Sequence, residues 1–349
     1  MSGGKDLDHR LPALDGVRAI AILLVLAGHF IGIPGMAVAG VSLFFVLSGF
    51  LITRLLAAET EQTGRVRMGR FYWRRACRII PAYLVWVGVT WIILGDLTVP
   101  EDRSAIAGLL TYTYNYSTPA NFGFNSIIHP AWSLAVEEQF YLLWPLMFSL
   151  MSARAARRAL LVCFAAVAAW RVVATVVFHL PQTYLDWAFE ANAGTLALGC
   201  WLALYTKQTD KLWWLRLARP RWLTIWLGVF ICSICLGLQE FGGAVVWAVP
   251  LAAIVMFFLI SAALEQGSHR LLSHPLLRWI AAISYPLYLW HLWGLAIGEG
   301  LALPHALQLV AALIASLGLA SASYYLLERP ILRWRDRRRA APSLSAATP

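Results

Sequence analysis

Polar residues along most of this chain are confined to short interruptions between apolar runs. Runs of about 20 apolar residues, the length a helix needs to cross a hydrocarbon core about 30 Å thick, fall at 14–36, 40–57, 79–96, 132–151, 159–179, 186–205, 222–239, 243–264, 277–298 and 306–327. The pattern predicts an all-α fold, a polytopic transmembrane helix bundle with about ten spans. A further stretch at 105–115 is too short to cross at about 1.5 Å per residue and reads as a re-entrant or interfacial segment. Residues 1–332 are expected to form one integral membrane domain. Residues 333–349, basic and then rich in Ala, Ser and Pro, are expected to form a disordered cytoplasmic tail.

Composition agrees with a bilayer. The 349 residues are 60% hydrophobic and 13% charged, with a mean hydropathy of +0.66, which excludes an ordinary soluble domain. The basic residues sort by side. Arg54, Arg65, Arg67, Arg70, Arg74, Arg75 and Arg78 surround the second connection. Arg154, Arg157 and Arg158, then Lys207, Lys211, Arg216, Arg219 and Arg221, then Arg270 and Arg278, and the tail from Arg333 follow on the same side by parity. The opposite connections carry Asp96, Glu101, Asp102, Asp186, Glu240 and Glu299. Positive-inside sorting therefore sets both termini in the cytoplasm, and counting 105–115 as a full crossing would turn the later basic loops outward. The pI near 9.7 thus reports orientation, not nucleic-acid binding. Ala37-Val38-Ala39 resembles a leader cleavage site, but the preceding apolar stretch is long and is the hairpin partner of the second span, so it reads as a span. Five cysteines, including Cys232-Ser-Ile-Cys235 within a span, read as small packing residues; no metal site is expected.

Ionisable groups at membrane depth are functional candidates by default. His29 follows Arg18 by eleven residues, which at about 100° per residue returns to within about 20° of the same helix face and rises about 16 Å. Glu137 and Glu138 lie about 8–9 Å below the entry of their span at Trp132, and His291 about 20 Å above Arg278. These groups are expected to meet in one layer. A shielded His can take a hydroxyl proton while a carboxylate orients the imidazole, the requirement for moving an acyl group onto a weak nucleophile. A buried polar network that only holds helices together is the competing reading.

Several longer motifs carry a resemblance. Arg18 and His29 lie in or just after Leu14-Asp15-Gly16-Val17-Arg18-Ala19-Ile20-Ala21. Gly40-Val41-Ser42-Leu43-Phe44-Phe45-Val46-Leu47-Ser48-Gly49-Phe50-Leu51-Ile52 and Arg74-Arg75-Ala76-Cys77-Arg78-Ile79-Ile80-Pro81 follow. Trp132-Ser133-Leu134-Ala135-Val136-Glu137-Glu138-Gln139-Phe140-Tyr141-Leu142, Ser284-Tyr285-Pro286-Leu287-Tyr288-Leu289-Trp290-His291 and Glu328-Arg329-Pro330 complete the series. In this order they resemble the acyltransferase family 3 integral membrane proteins over nearly the whole chain. The resemblance implies transfer of an acyl group, usually acetyl, from acyl-CoA to a hydroxyl of a saccharide, glycolipid, cell-surface polymer or secondary metabolite. It implies His29 as the catalytic base, Arg18 as its motif partner and Glu138 as the essential carboxylate. Arg75 and Arg78 match an Arg-x-x-Arg pair for the phosphates of CoA, chemistry that guanidinium forks suit.

Asp15, Ser48, Trp132, Tyr141, Tyr285 and His291 are further candidate site members. Arg75 and Arg78 also read as plain positive-inside anchors, Tyr285-Pro286 as a kink, and His291 as a packed core histidine. Glu137, about 100° away from Glu138 on the helix, is expected to be turned aside. The run Phe189-Glu190-Ala191-Asn192-Ala193-Gly194 departs from the family's charged signature, and Glu190 is expected to pair with Arg171 in the adjacent span. Many relatives append an extracytoplasmic hydrolase-like domain; without one, this chain is expected to deliver the acyl group itself. The expected setting is the lipid bilayer of a bacterial cytoplasmic (inner) membrane. The expected partners are acyl-CoA, in the first place acetyl-CoA, and a saccharide, glycolipid or small hydroxylated acceptor, with no permanently bound cofactor. A transporter or flippase for a polar glycan or lipid-linked substrate is the alternative, and it should show inverted repeats and broken helices.

Overall fold

The computed structural model describes residues 12–33, 35–96, 98–116, 127–205, 250, 253–258, 260 and 272–340. Every regular element among them is helical: α1 (Pro12–Phe30), α2 (Met36–Thr63), α3 (Met68–Leu94), α4 (Pro100–Thr111), α5 (Ala131–Leu150), α6 (Ala153–Val176), α7 (Gln182–Trp187), α8 (Phe189–Tyr205), α9 (Pro275–Glu299), α10 (His305–Ala322) and α11 (Arg329–Ala340). A π-helical turn, Ser323–Glu328, joins the last two. The ends follow local chemistry. Gly64 closes α2 at φ 72, a left-handed geometry that glycine adopts without a Cβ penalty. Ser152 caps α6 by accepting from the Ala155 amide at 3.2 Å, and Pro275 opens α9 where no helical amide bond is lost.

Six of the described helices are long and apolar enough to cross a membrane: Ala13–Phe30, Met36–Thr63, Met68–Leu94, Ala153–Val176, Pro275–Glu299 and His305–Arg338. The expected spans at 132–151 and 186–205 are not among them. The first exists as α5, but Glu137, Glu138 and Gln139 dilute its apolar character. The second is divided, because Ala188 is extended at ψ 142 between α7 and α8. The expected span 222–239, most of 243–264, the loop arginines between Lys207 and Arg221, and Cys232 and Cys235 lie outside the described residues. The segment expected at 105–115 is the short helix α4 followed by a single turn, Tyr114–Tyr116. The tail reading also needs correction, since residues 333–340 continue in α11. Trp334 packs on Trp73 with ring centroids 6.4 Å apart, and Arg335 donates to the Arg74 carbonyl at 3.5 Å, so this helix is tied to the start of α3.

Outward apolar side chains such as Ile92, Leu150 and Leu326 are exposed, as a lipid-facing surface requires. Inside, α2 packs on α8, α6 on α8, α9 on α10, and α1 on both α2 and α9. Small residues set the closest of these crossings. A Cβ on Gly49 would strike the Leu196 carbonyl, and one on Gly199 would strike the Val46 carbonyl, so α2 and α8 cross backbone to backbone. At the turn between α2 and α3, the buried Glu59 carboxylate faces Arg70 and Arg74, each at 3.9 Å.

Gly49→Ala is expected to destabilise the detergent-solubilised protein by about 1–3 kcal/mol through overpacking. Gly69→Ala, where an added Cβ meets nothing within 4 Å, should be neutral. Thermal unfolding of both variants checks this, and equal midpoints would refute the backbone-to-backbone crossing.

Candidate active site

The polar groups inside the bundle divide into two layers along α1, one around Arg18 and the other around His29. In the Arg18 layer, α5 is wedged between α2 and α3, so two azimuths of the same helix face protein. Glu137 therefore does not turn aside: its Oε1 accepts the Ser48 hydroxyl of α2 at 2.7 Å. Glu138, one residue on, faces α3 and pairs with Arg75, Oε1 to Nη2, at 3.7 Å. The Arg75 guanidinium lies over the Tyr141 ring, 3.3 Å from its centroid, so one turn of α5 supplies both a carboxylate and a π face to the same cation. Arg18 lies within electrostatic reach of Asp15, Glu137, Tyr141 and Arg78. Arg78 is exposed and faces the buried Glu328 of the π-helical turn. Three arginines are thus set among carboxylates from three helical elements, which is how charge persists in a low-dielectric bundle.

The His29 layer is built from imidazoles. The His29 ring centroid is 4.9 Å from that of His291 and 6.5 Å from that of His129. His29 Nδ1 lies 3.0 Å from the Val25 carbonyl and His291 Nδ1 lies 2.8 Å from the Tyr288 carbonyl. A carbonyl only accepts, so both Nδ1 atoms carry the proton and both Nε2 atoms present a lone pair. His291 is fully buried and its Nε2 has no partner, a costly arrangement unless a donor arrives there. Around this layer Ser133 and Tyr288 share a hydrogen bond of 2.6 Å, and Tyr288 lies 5.7 Å from His291. Trp132 stands parallel to Trp187 at 6.5 Å, and His129 meets Trp187 edge-on at 4.9 Å.

The single layer expected from hydropathy is therefore not formed, and Glu138 does not orient His29. His129, close to His29, precedes the first residue of α5, whereas Glu138 lies seven residues further in, about 10 Å along the axis. The outer end of α1 is level with the mouth of α5 and not with its second turn. Tyr285 lies within electrostatic reach of Glu138 and Glu328, while its hydroxyl donates to the Ile79 carbonyl at 3.0 Å and ties α9 to α3. The expected Glu190–Arg171 pair is also absent. Glu190 accepts from Tyr116 at 2.6 Å and from Tyr184, while buried Arg171 donates to the carbonyls of Leu185 and Ala191. The break at Ala188 frees the Leu185 carbonyl, which a continuous span would have closed in its own ladder. His129 and Tyr112 were missed by sequence reasoning. A histidine two residues before a span was a usable signal for the former, while the latter had none.

A histidine with Nδ1 on a backbone carbonyl at one end of α1 and an arginine–carboxylate cluster at the other make up the polar interior of an otherwise apolar helix bundle. The family described as "Acyltransferase domain" matches residues 11–325, and the chain belongs to it, acyltransferase family 3. Among curated relatives, a putative peptidoglycan O-acetyltransferase, YrhL, of Bacillus subtilis (strain 168) is 28% identical over 94% of this chain and 56% of its own length. The peptidoglycan O-acetyltransferase OatA of Listeria monocytogenes is 29% identical over 80% of this chain and 49% of its own length. The O-acetyltransferase OatA of Staphylococcus aureus (strain NCTC 8325) is 34% identical over 55% of this chain and 34% of its own length. The chain spans about half the length of the first two. No solved structure matches.

Because Arg75 and Glu138 are one unit, Arg75→Ala and Glu138→Gln should not be additive. A double-mutant cycle on thermal stability is expected to show a coupling of at least about 0.5 kcal/mol, and strictly additive losses would remove the pair.

Proposed function

We propose that the chain transfers an acetyl group from acetyl-CoA to a hydroxyl of a saccharide acceptor, with His29 as general base. The observation that carries the reading is the His29 tautomer: with Nδ1–H held by the Val25 carbonyl, Nε2 is the nitrogen able to take a proton. In the step, the acceptor oxygen attacks the thioester carbonyl as its proton passes to His29 Nε2. The C–S bond then breaks, and the same proton leaves with the CoA thiolate. The relatives named as peptidoglycan O-acetyltransferases make a cell-wall saccharide the first acceptor to test.

In this reading Arg75 and Arg78 receive the phosphates of CoA. Glu138 keeps Arg75 in place and compensates its charge before the donor arrives; its effect on turnover then runs through the guanidinium and not through the imidazole. Ten spans with both termini in the cytoplasm, in a bacterial inner membrane, put the Arg75 and Arg78 end of the bundle on the side where CoA resides. The His29 end then faces the other side, where wall polymers lie.

His29→Ala is expected to lower turnover about 10²–10⁴-fold, the range for loss of a general base, with unchanged thermal stability. The assay is proteoliposomes with radiolabelled acetyl-CoA and muropeptide or glycan acceptors, followed by mass spectrometry of the product. Near-native turnover in His29→Ala would return His29 to a packing role. Cysteines placed near Arg65 and Arg216 should resist membrane-impermeant labelling of intact cells, and labelling at either position would overturn the ten-span topology.

A further inference from the structure

Tyr112 ends α4 in the left-handed region, at φ 53, where a bulky side chain is strained. Such strain persists only where surrounding contacts over-determine it. Here α5 does so through Gln139, the residue after Glu138, whose Nε2 donates to the Tyr112 carbonyl at 2.7 Å and to Asn115 Oδ1 at 2.8 Å. Asn115 Nδ2 returns a bond to Gln139 Oε1 at 3.3 Å, so the two amides clasp the turn from both sides. The Tyr112 ring is stacked on Tyr83 of α3 at 4.8 Å and 20°, and Tyr83 itself donates to the Leu109 carbonyl at 3.1 Å.

Backbone and ring are thus held, yet the hydroxyl they deliver is buried and bonded to nothing. Tyr112 lies within electrostatic reach of Glu138 and Arg75, and Arg75 Nε is a second buried donor without an acceptor. Tyr83 and Tyr285, both close by, have their hydroxyls occupied, on Leu109 and Ile79, while the Tyr114 hydroxyl is also buried without a partner. A buried donor left unmet costs the desolvation of its group.

We propose that the Tyr112 hydroxyl donates to a carbonyl oxygen of the acyl donor's arm, in the layer where Arg75 pairs with Glu138. A carbonyl fits this hydroxyl where a phosphate does not, since one neutral O–H cannot compensate a full negative charge. Tyr112 is then a donor-binding residue that neither takes a proton nor forms a bond to the acyl group. The inference rests on the acetyl-CoA reading above.

The test is Tyr112→Phe in the full chain reconstituted with acetyl-CoA and the acceptor. Phenylalanine keeps the stack on Tyr83 and the backbone bond to Gln139 and loses only the hydroxyl. The expected result is a KM for acetyl-CoA raised about five- to tenfold, as loss of one hydrogen bond gives, with the acceptor KM and the melting temperature unchanged. An unchanged acetyl-CoA KM, an equal rise for both substrates, or a fall in melting temperature would each overturn the assignment, the last because it would give the hydroxyl a structural partner. Wild-type protein that turns over acetyl-CoA while Tyr112→Phe behaves identically sinks this inference alone. Wild-type protein inert to acetyl-CoA sinks the donor assignment beneath it.

Discussion

A charge inside a hydrocarbon-embedded bundle has to find its counter-charge within the protein, and the arrangement of these helices follows from that requirement. α5 cannot face lipid with the side that carries Glu137 and Glu138, so it lies between α2 and α3, which offer Ser48 and Arg75. The rest of its surface, with Leu142, Leu146 and Leu150, is exposed and apolar. The same requirement draws Glu59 onto Arg70 and Arg74 at the turn between α2 and α3 and Glu328 towards Arg78 at the π-helical turn. Removing one partner of such a set leaves the other uncompensated, which costs more than the pair itself contributes.

Close helix crossings make those meetings possible. Gly49 and Gly199 bring α2 and α8 to backbone contact, and Gly294 and Gly298 do the same for α9 against α10, where added Cβ atoms would strike Ser316, Gln308 and Ala312. Without water to drive apolar association, such packing and the interhelical hydrogen bonds supply the cohesion. Trp144 to Thr53 at 2.8 Å and Trp293 to Thr90 at 2.9 Å add two of these bonds between distant segments.

Much of this was legible in the residue order, and the exceptions share one cause. Apolar run length located α1, α2, α6, α9 and α10, with ends up to about six residues from those observed, because spanning is a one-dimensional constraint. Arg18 and His29 on one face, and His291 at His29's depth, are consequences of the helical repeat alone. Partnership is not one-dimensional. Whether Glu138 meets His29 or Arg75 depends on where α5 begins relative to the outer end of α1, and on the azimuths that α2 and α3 leave for it. The break at Ala188 escaped for a related reason: its neighbours are apolar on both sides, so the run reads as continuous, while Arg171 draws out carbonyls from both sides of the break. Tyr112 gave no signal at all, since its left-handed backbone is imposed by Gln139 from another helix.

The separation of the two layers also constrains how the residues can share the work. Arg18 and His29 are about 16 Å apart along α1, too far for a guanidinium at one end to act on an imidazole at the other by hydrogen bonding. Contact between the layers runs instead through α9: Tyr288, which shares a hydrogen bond with Ser133 and whose ring lies 5.7 Å from His291, is within electrostatic reach of Glu137. The unpartnered Tyr112 hydroxyl and Arg75 Nε sit with the arginine–carboxylate layer and the unpartnered His291 Nε2 with the imidazole layer, so each layer keeps unmet polar atoms of its own.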